Sequence, residues 1–107
     1  MVNSMTSVIH KTNNMETKIP KTKQEAFAQL DEMLSGKDKR ELANGDAIEF
    51  HFSLGMWIRN NWIYEQKEED VTRLAKAFRM DYLVFDPDGL SGKIIEYYQR
   101  YLKRKGL

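Results

Sequence analysis

The sequence of 107 residues contains no cysteine, no apolar run long enough to cross a membrane, and almost no net charge. Without cysteine the chain has no disulfides, no thiolate metal ligands and no cysteine nucleophile, which is compatible with a reducing cytoplasm. A membrane-spanning helix needs about 18 apolar residues, and the first twenty residues lack the apolar core of a signal peptide. The net charge of +1 provides no global basic field of the kind that attracts nucleic acid. These absences favour a cytoplasmic protein of one domain.

Motifs for catalysis and metal binding are also missing. The two histidines, His10 and His51, lie far apart without a metal-ligand spacing, and no serine lies in a G-x-S-x-G motif. Asp86 and Asp88 begin like a calcium-binding loop, but the sixth position, where the loop needs glycine, is Ser91. We therefore expect no metal and no cofactor, and we favour a binding protein over an enzyme.

The composition changes near residue 20. Residues 1–20 are rich in Asn, Ser, Thr and Lys and show no sustained apolar period, which predicts a flexible tail. Thr22 and Glu25 then have the spacing of a capping box, in which a hydroxyl and a carboxylate bond to the first backbone N–H groups of a helix. We expect the helical domain to occupy residues 21–107.

Apolar residues recur with helical spacing in three segments of this domain. Gly36 is expected to stop the first helix, residues 38–43 to form a short second helix, and residues 82–85 to form a linker. Asp86 is the expected cap of the last helix, with Pro87 at its first position. The sequence thus predicts an all-α fold: a compact single domain of four to five helices with a disordered N-terminal tail. The three helix faces are Ala26, Phe27, Leu30, Met33 and Leu34; Val71, Leu74, Ala75 and Phe78; and Leu90, Ile94, Tyr97, Tyr98, Tyr101 and Leu102.

Two apolar periods compete between residues 46 and 58. One set of positions has helical spacing, and another alternates strictly as in a strand. The length of the segment and a capping residue at Asp46 favour the helix. Gly55 is unfavourable inside a helix by about 1 kcal/mol relative to Ala, so we expect it either to let another backbone approach closely or to break the segment. Asn60 and Asn61 are expected to end this helix.

Residues 50–62 contain both tryptophans, two of the five phenylalanines and one histidine around a fixed cation. Polar groups in such an apolar run are unfavourable to bury unless they are paired. The planar guanidinium of Arg59 suits a carboxylate or a phosphate. In a structural interpretation it forms an ion pair with Asp81, Asp86 or Asp88, and the asparagines cap helix ends. In a functional interpretation the segment is a ligand-binding site made by Arg59, Asn60, Asn61, Trp57, Trp62 and His51.

A second candidate surface lies on the last helix, where aromatic and basic residues are interleaved. Such side chains can stack on the bases of nucleic acid and neutralise its phosphates. Alternatively the tyrosines face the core and the basic residues face water, which the apolar stripe of this helix favours. The residues concerned are Tyr97, Tyr98 and Tyr101 with Arg100, Lys103 and Arg104.

An L-G-x-x-I-R-N-x-W core is followed by an aspartate and a serine that lead into the last helix. These positions are Leu54, Gly55, Ile58, Arg59, Asn60 and Trp62, then Asp88 and Ser91. Through these residues the chain resembles an uncharacterised family of small bacterial domains of unknown function, over roughly residues 20–104. The resemblance implies an all-helical fold and assigns no activity, ligand or catalytic residue.

The leading functional hypothesis is a non-enzymatic cytoplasmic binding module, bacterial or from a phage. It would recognise an acidic or phosphate-bearing group, on an unknown protein or a small anionic ligand, through Arg59 and the surrounding aromatic residues. The alternative is a nucleic-acid accessory protein that uses the basic C-terminal helix and the basic tail. A third class is an enzyme with a distant acid and base, such as His51 with Asp81 or Asp88. No pattern in the chain indicates its oligomeric state.

Overall fold

The computed structural model of the protein describes residues 18–45, 50, 52–80 and 86–107. These residues contain no β-strand, and none of their helices is long and apolar enough to span a membrane. The expectation of a compact all-α domain is confirmed. The elements are α1 Lys23–Met33, α2 Gly36–Asn44, α3 Leu54–Ile58, a π-helical turn Arg59–Ile63 that continues directly from α3, α4 Glu68–Ala77 and α5 Pro87–Arg104.

Side chains that accept backbone hydrogen bonds set the predicted helix starts. Thr22 Oγ1 accepts from the N–H of Glu25 at 3.1 Å, and Glu25 Oε1 accepts from the N–H of Lys21 at 2.8 Å. The predicted capping box is therefore present, although its carboxylate bonds one residue before the cap. Asp86 caps α5 and Pro87 occupies the first helical position, as the sequence indicated.

The predicted stop at Gly36 is wrong. Helix α1 ends at Met33 because Leu34 adopts an extended backbone, with φ −93° and ψ 140°. Ser35 then caps α2 by accepting from the N–H of Asp38 at 3.1 Å, and Gly36 is the first residue of that helix. A serine in this position satisfies one of the unpaired N–H groups of a new helix, so the chain restarts at once.

The hydrophobic core is organised around α5, which packs against α2, α3 and the π-helical turn. From α1, the ring of Phe27 stacks on Tyr101 with 4.6 Å between centroids and lies 5.8 Å from the ring of Tyr98. Helix α5 buries a broader face than its apolar period indicated, since Ile95 is also fully buried. The core is continuous, and the largest fully buried side chains are Trp62, Tyr98, Phe78, Leu30, Leu42, Leu54, Ile58, Leu74, Leu90, Ile94, Ile95 and Leu102.

The described part of the segment with two competing periods contains no strand, and its last five residues are helical. Residues 46–49, His51 and the predicted linker 82–85 lie outside the described residues. Leu54–Ile58 forms an α-helix, which agrees with the helical interpretation for this part. The predicted end at residues 60–61 is wrong, because the π-helical turn continues the helix past both asparagines.

The last three residues of the segment assigned to the tail contact the domain. The carbonyl oxygen of Lys18 accepts a hydrogen bond from Gln29 Nε2 at 2.6 Å. Ile19 packs half-buried against the core, and Pro20 is buried. Residues 1–17 lie outside the described residues, so the packed part of the described chain begins at Lys18.

Removing residues 1–20 should destabilise the domain more than removing residues 1–17, because only the longer deletion takes away Ile19 and Pro20. We expect a difference of about 1–3 kcal/mol in the free energy of unfolding, from two apolar side chains and one hydrogen bond. Melting temperatures of the full chain and both truncations measure it, at about 4–8 °C per kcal/mol for a domain of this size. Equal melting temperatures for the two truncations would contradict the packing of residues 18–20.

Asp31 of α1 is held by two tyrosines of α5. Tyr98 donates to Oδ1 at 2.8 Å, Tyr101 donates to Oδ2 at 2.6 Å, and Lys39 Nζ lies 3.7 Å from Oδ1. Burial raises the pKa of the Tyr98 phenol above its ordinary value, and the bond to Asp31 raises it further. The bond to Asp31 also raises the pKa of Tyr101. Both phenols therefore keep their protons in the folded protein at pH values at which the unfolded chain ionises them.

The free energy of unfolding should fall as the pH rises above about 10, the ordinary pKa of tyrosine. There the unfolded chain releases protons that the folded protein retains on Tyr98 and Tyr101, so stability is lost by about 1.4 kcal/mol per pH unit and retained proton. Tyr98→Phe should lower stability at neutral pH by about 1.5–3 kcal/mol, because a hydrogen bond to a charged group is lost. It should also reduce the alkaline loss. Urea unfolding across this pH range measures both effects, and an alkaline slope unchanged by Tyr98→Phe would count against the coupling.

Candidate functional site

Four of the six predicted site residues lie on the π-helical turn, Arg59–Ile63. The bond that defines the turn joins the N–H of Tyr64 to the carbonyl oxygen of Arg59, five residues back, at 2.7 Å. Turns of this kind are rare, occur mostly as single-turn bulges next to α-helix, and are frequently found at functional sites. The backbone itself therefore marks this segment as unusual.

The π-helical turn changes the relative direction of the two tryptophans. Residues five apart point about 140° away from each other on an α-helix, at about 100° per residue, whereas a turn with i→i+5 bonds brings them to the same side. Trp57 and Trp62 pack edge to face, with centroids 5.5 Å apart and an interplanar angle of 76°. Their exposed fractions are only 5% and 0%. The π-helical turn thus allows both indoles to enter the core, although Trp62 Nε1 finds no hydrogen-bond partner among the described residues.

The two asparagines have different environments. Asn61 Nδ2 donates to the carbonyl oxygen of Trp57 at 2.8 Å, and the carbonyl oxygen of Asn61 accepts from Gln66 Nε2 at 3.4 Å. Asn61 therefore ties the turn to the helix before it and to the loop after it, which is a structural role. The side chain of Asn60 is exposed and lies at the surface beside Arg59.

Arg59 reaches across to the first turn of α5. Its Nη1 donates to Ser91 Oγ at 2.9 Å and lies 3.1 Å from Asp88 Oδ1. Ser91 is fully buried and donates its own hydroxyl to the carbonyl oxygen of Asp88 at 3.1 Å. The side chain of Arg59 is 12% exposed, whereas that of Asp88 is 82% exposed. Of the ion pairs that the structural interpretation offered, the one with Asp88 forms; Asp86 caps α5 instead, and Asp81 lies outside the described residues.

Gly55 leaves the space that Arg59 occupies. A Cβ atom added at Gly55 would lie 3.0 Å from Arg59 Nη1 and 3.7 Å from both Ile95 Cδ1 and Ser91 Oγ. Other groups do approach Gly55 closely, but the expectation that another backbone does so is wrong. The groups that approach, however, are the guanidinium and side chains of α5 rather than another backbone.

Large apolar side chains remain exposed next to this site. Phe52, in the turn before α3, is 79% exposed, Met56 is 50% exposed and Tyr64 is 44% exposed. Phe52 precedes α3, Met56 lies within it and Tyr64 follows the π-helical turn, so the three side chains flank the segment that carries Arg59. The segment that carries Arg59 therefore exposes apolar side chains close in sequence to a cation that Ser91 anchors.

The structure brings together five of the six predicted site residues, while His51 lies outside the described residues. Of those five, Trp57 and Trp62 belong to the core and Asn61 supports the backbone. The partner that sequence reasoning missed is Ser91, whose only signal was its place in the motif after Asp88. The described residues contain no group of three or more histidine, aspartate or glutamate side chains that could hold a metal ion.

On α5 the structure favours packing for the interleaved tyrosines. Tyr98 is buried, and Tyr97 and Tyr101 pack half-buried against the core. Arg100 and Lys103 are exposed. The tyrosines therefore present no row of open ring faces to a nucleic-acid strand.

Comparison with known proteins identifies the family of this chain. The model of a domain of unknown function (DUF6794) matches residues 19–102. This span agrees with the expected resemblance to a domain of unknown function over roughly residues 20–104. No curated protein and no solved structure is significantly similar to the chain.

Arg59→Ala should destabilise the domain by about 1.5–3 kcal/mol, because it removes a charged hydrogen bond to a buried hydroxyl and the packing of a long stem. Asp88→Ala should cost less, about 1 kcal/mol, since its carboxylate is mostly in water and Arg59 keeps its hydrogen bond to Ser91. Denaturant unfolding of the two variants measures the difference. Equal and large losses would mean that the ion pair, rather than the bond to Ser91, holds Arg59 in place.

Proposed function

The chain belongs to the family of this domain of unknown function, and we propose that the domain is a non-enzymatic binding module. In this proposal Arg59 recognises an acidic or phosphate-bearing group on a protein or a small molecule, and the π-helical turn presents it. One observation carries the proposal. Arg59 is bonded to the buried Ser91, and the only carboxylate within 4.0 Å of Arg59 among the described residues is that of Asp88, which lies in water.

The exposure of Asp88 is what makes Arg59 accessible to a ligand. The Asp88 carboxylate is 82% exposed and remains in water when it leaves Arg59, so an incoming carboxylate or phosphate displaces it at little cost in free energy. The contact to Ser91 remains in place during that exchange, because it is made from the buried side. Both contacts are made by Nη1, so a ligand that takes the place of Asp88 pairs one oxygen with Nη1 and a second oxygen with Nη2 of the planar fork.

The preorganisation of Arg59 supports the same conclusion. A free arginine loses about 2 kcal/mol of side-chain entropy when it is immobilised. Here the contact with Ser91 and the neighbouring Gly55 already restrict the side chain before any ligand binds. Binding therefore loses less entropy than it would at a mobile surface arginine.

The apolar surface beside Arg59 supports a protein-borne group as the ligand. Phe52 is mostly exposed and Met56 is half-exposed, and exposed apolar side chains are typical of protein contact surfaces. The partner that fits is an acidic segment with apolar neighbours. We place the module in the cytoplasm of a bacterium, as a bacterial or phage protein, which the absence of cysteine and the resemblance to bacterial domains support; cell fractionation of the native host tests the compartment.

The proposal predicts opposite effects for two substitutions. Against an array of peptides in acidic, phosphorylated and neutral versions, Arg59→Lys should weaken binding of acidic or phosphorylated versions about tenfold, because lysine lacks the planar fork. Asp88→Asn should strengthen it by up to about fivefold, since it removes an internal competitor worth up to about 1 kcal/mol.

Asp70→Asn is the matched control, because Asp70 pairs with Arg73 on α4 at 2.7 Å and its loss changes the net charge equally. This variant should not change peptide affinity. Failure of the wild type to select any acidic or phosphorylated peptide, or an equal response to Asp88→Asn and Asp70→Asn, would refute the proposal.

A further inference from the structure

The carboxylate of Asp88 stays near Arg59 even when a ligand displaces it. Asp88 lies in the first turn of α5, and its carbonyl oxygen accepts a hydrogen bond from Ser91 Oγ at 3.1 Å. The same hydroxyl accepts from Arg59 Nη1 at 2.9 Å. The backbone that carries Asp88 is thus fixed relative to the guanidinium. Because the aspartate side chain is short, the displaced negative charge remains within a few ångströms of whatever occupies Arg59.

A second carboxylate lies at the same helix start. Asp86 caps α5, and its Oδ1 accepts from the N–H of Gly89, the residue after Asp88. This carboxylate keeps its place whichever ligand binds, because it holds the start of the helix. It also takes up part of the positive charge that a helix N-terminus offers to an anion. The start of α5 and Arg59 therefore combine two negative charges with one positive charge.

No second cation compensates these carboxylates among the described residues. Arg59 is the only cation within 4.0 Å of Asp88, and Asp86 has none within that distance. A phosphate dianion is usually bound by several cations or by many donors at once. The described surroundings of Arg59 offer one guanidinium only.

The first cations along α5 are gathered further along the helix. The ring centroid of Tyr97, in the second half of α5, lies 6.0 Å from Lys93 Nζ and 5.5 Å from the guanidinium carbon of Arg100. Lys23 Nζ of α1 lies 5.2 Å from the same centroid. The face of an aromatic ring attracts cations, so Tyr97 holds these three charges, and the start of α5 keeps its excess of negative charge.

The donors that Arg59 can offer match a carboxylate. Asp88 Oδ1 lies 3.1 Å from Nη1, so a carboxylate oxygen already fits this position. The hydroxyl proton of Ser91 is donated to the carbonyl oxygen of Asp88 and is not available to a ligand. A ligand therefore meets Nη1 and Nη2, two donors in one plane, which is the arrangement that the two oxygens of a carboxylate complement.

A second negative charge on the ligand brings no advantage at this site. A carboxylate carries one charge, whereas a phosphate monoester carries nearly two at neutral pH. Two like unit charges about 6 Å apart in water weaken binding about threefold. Repulsion by Asp86 and Asp88 therefore offsets the additional attraction of a second charge to Arg59.

We propose, on the basis of the proposed function, that the group recognised by Arg59 is a carboxylate and that the site discriminates against a phosphate dianion. The carboxylate belongs to a partner protein, as an aspartate or glutamate side chain or as the chain terminus. Asp86 and Asp88 determine this specificity, because their repulsion is about twice as strong for a ligand with two charges as for a ligand with one.

Peptides that differ in a single group test the selectivity. Each sequence of an array is made with glutamate, phosphoserine or serine O-sulfate at one position, and affinities are measured at pH 7.5 and constant ionic strength. The wild type should bind the glutamate version about threefold or more tightly than the phosphoserine version. A sulfate ester has the tetrahedral shape of the phosphate but one charge, so it should also bind more tightly than the phosphate. Equal affinity for sulfate and phosphate would overturn repulsion as the cause.

Asp88→Asn removes one of the two fixed charges and should reduce the preference. It should strengthen binding of the phosphoserine version about threefold more than binding of the glutamate version, because only the phosphate carries a second charge. Asp70→Asn removes the same charge from α4, where Asp70 pairs with Arg73, and should leave the ratio of the two affinities unchanged. A ratio that does not respond to Asp88→Asn, or that responds equally to Asp70→Asn, would contradict the inference.

The outcomes separate this inference from the proposed function. A phosphoserine version that binds as tightly as the glutamate version, or more tightly, overturns the carboxylate assignment and leaves Arg59 as a binding residue. Absence of binding to every anionic version refutes both. Two further peptides identify the source of the carboxylate: one has a free C-terminus as its only acidic group, and the other has an internal glutamate and an amidated C-terminus. Tighter binding of the first supports a chain terminus, and tighter binding of the second supports a side chain.

Discussion

Burial of two tryptophans spaced five residues apart is the constraint on which the rest of this structure depends. A regular α-helix would direct Trp57 and Trp62 to different sides, so one indole would face water. The π-helical turn aligns them, and the area buried by two such rings, about 150–250 Å² each, outweighs the poorer backbone geometry and the unpaired Trp62 Nε1. Arg59 is the first residue of the same turn, so the backbone that brings Trp62 into the core also sets the direction of the Arg59 side chain.

Helix α5 supplies the partners that hold Arg59 and Asp31 in place. At its start, Ser91 and Asp88 receive Arg59 from one side. In its middle, Tyr98 and Tyr101 hold Asp31 of α1. Different parts of α5 therefore position Arg59 and the contact with Asp31 of α1.

The chain contrasts two ways of holding a cation. Arg59 is largely buried and is fixed by a hydroxyl, so its position is exact and its charge is partly compensated by Asp88. Lys23, Lys93 and Arg100 are gathered by the attraction of one ring, and no described carboxylate lies within ion-pair distance of them. The first arrangement suits selective recognition of a planar acidic group.

Local signals in the sequence were sufficient for most helix starts and faces. The hydroxyl of Thr22 and the carboxylate of Asp86 cap their helices because capping needs only groups within three residues. The same locality explains the two wrong boundaries. Gly36 was expected to stop a helix, but Ser35 restarts one; the asparagine pair 60–61 was expected to end a helix, but burial of Trp62 holds it in a helical turn.

The sequence by itself determined an all-helical domain and the segment in which the candidate site lies, because helical period, caps and a cation among aromatic residues are visible within short windows. Only the tertiary structure decided that Arg59 meets Ser91, thirty-two residues away, and that Lys23 joins Lys93 and Arg100 around Tyr97. Such pairings depend on how helices cross in the core, and the packing of side chains far apart in the chain sets that geometry.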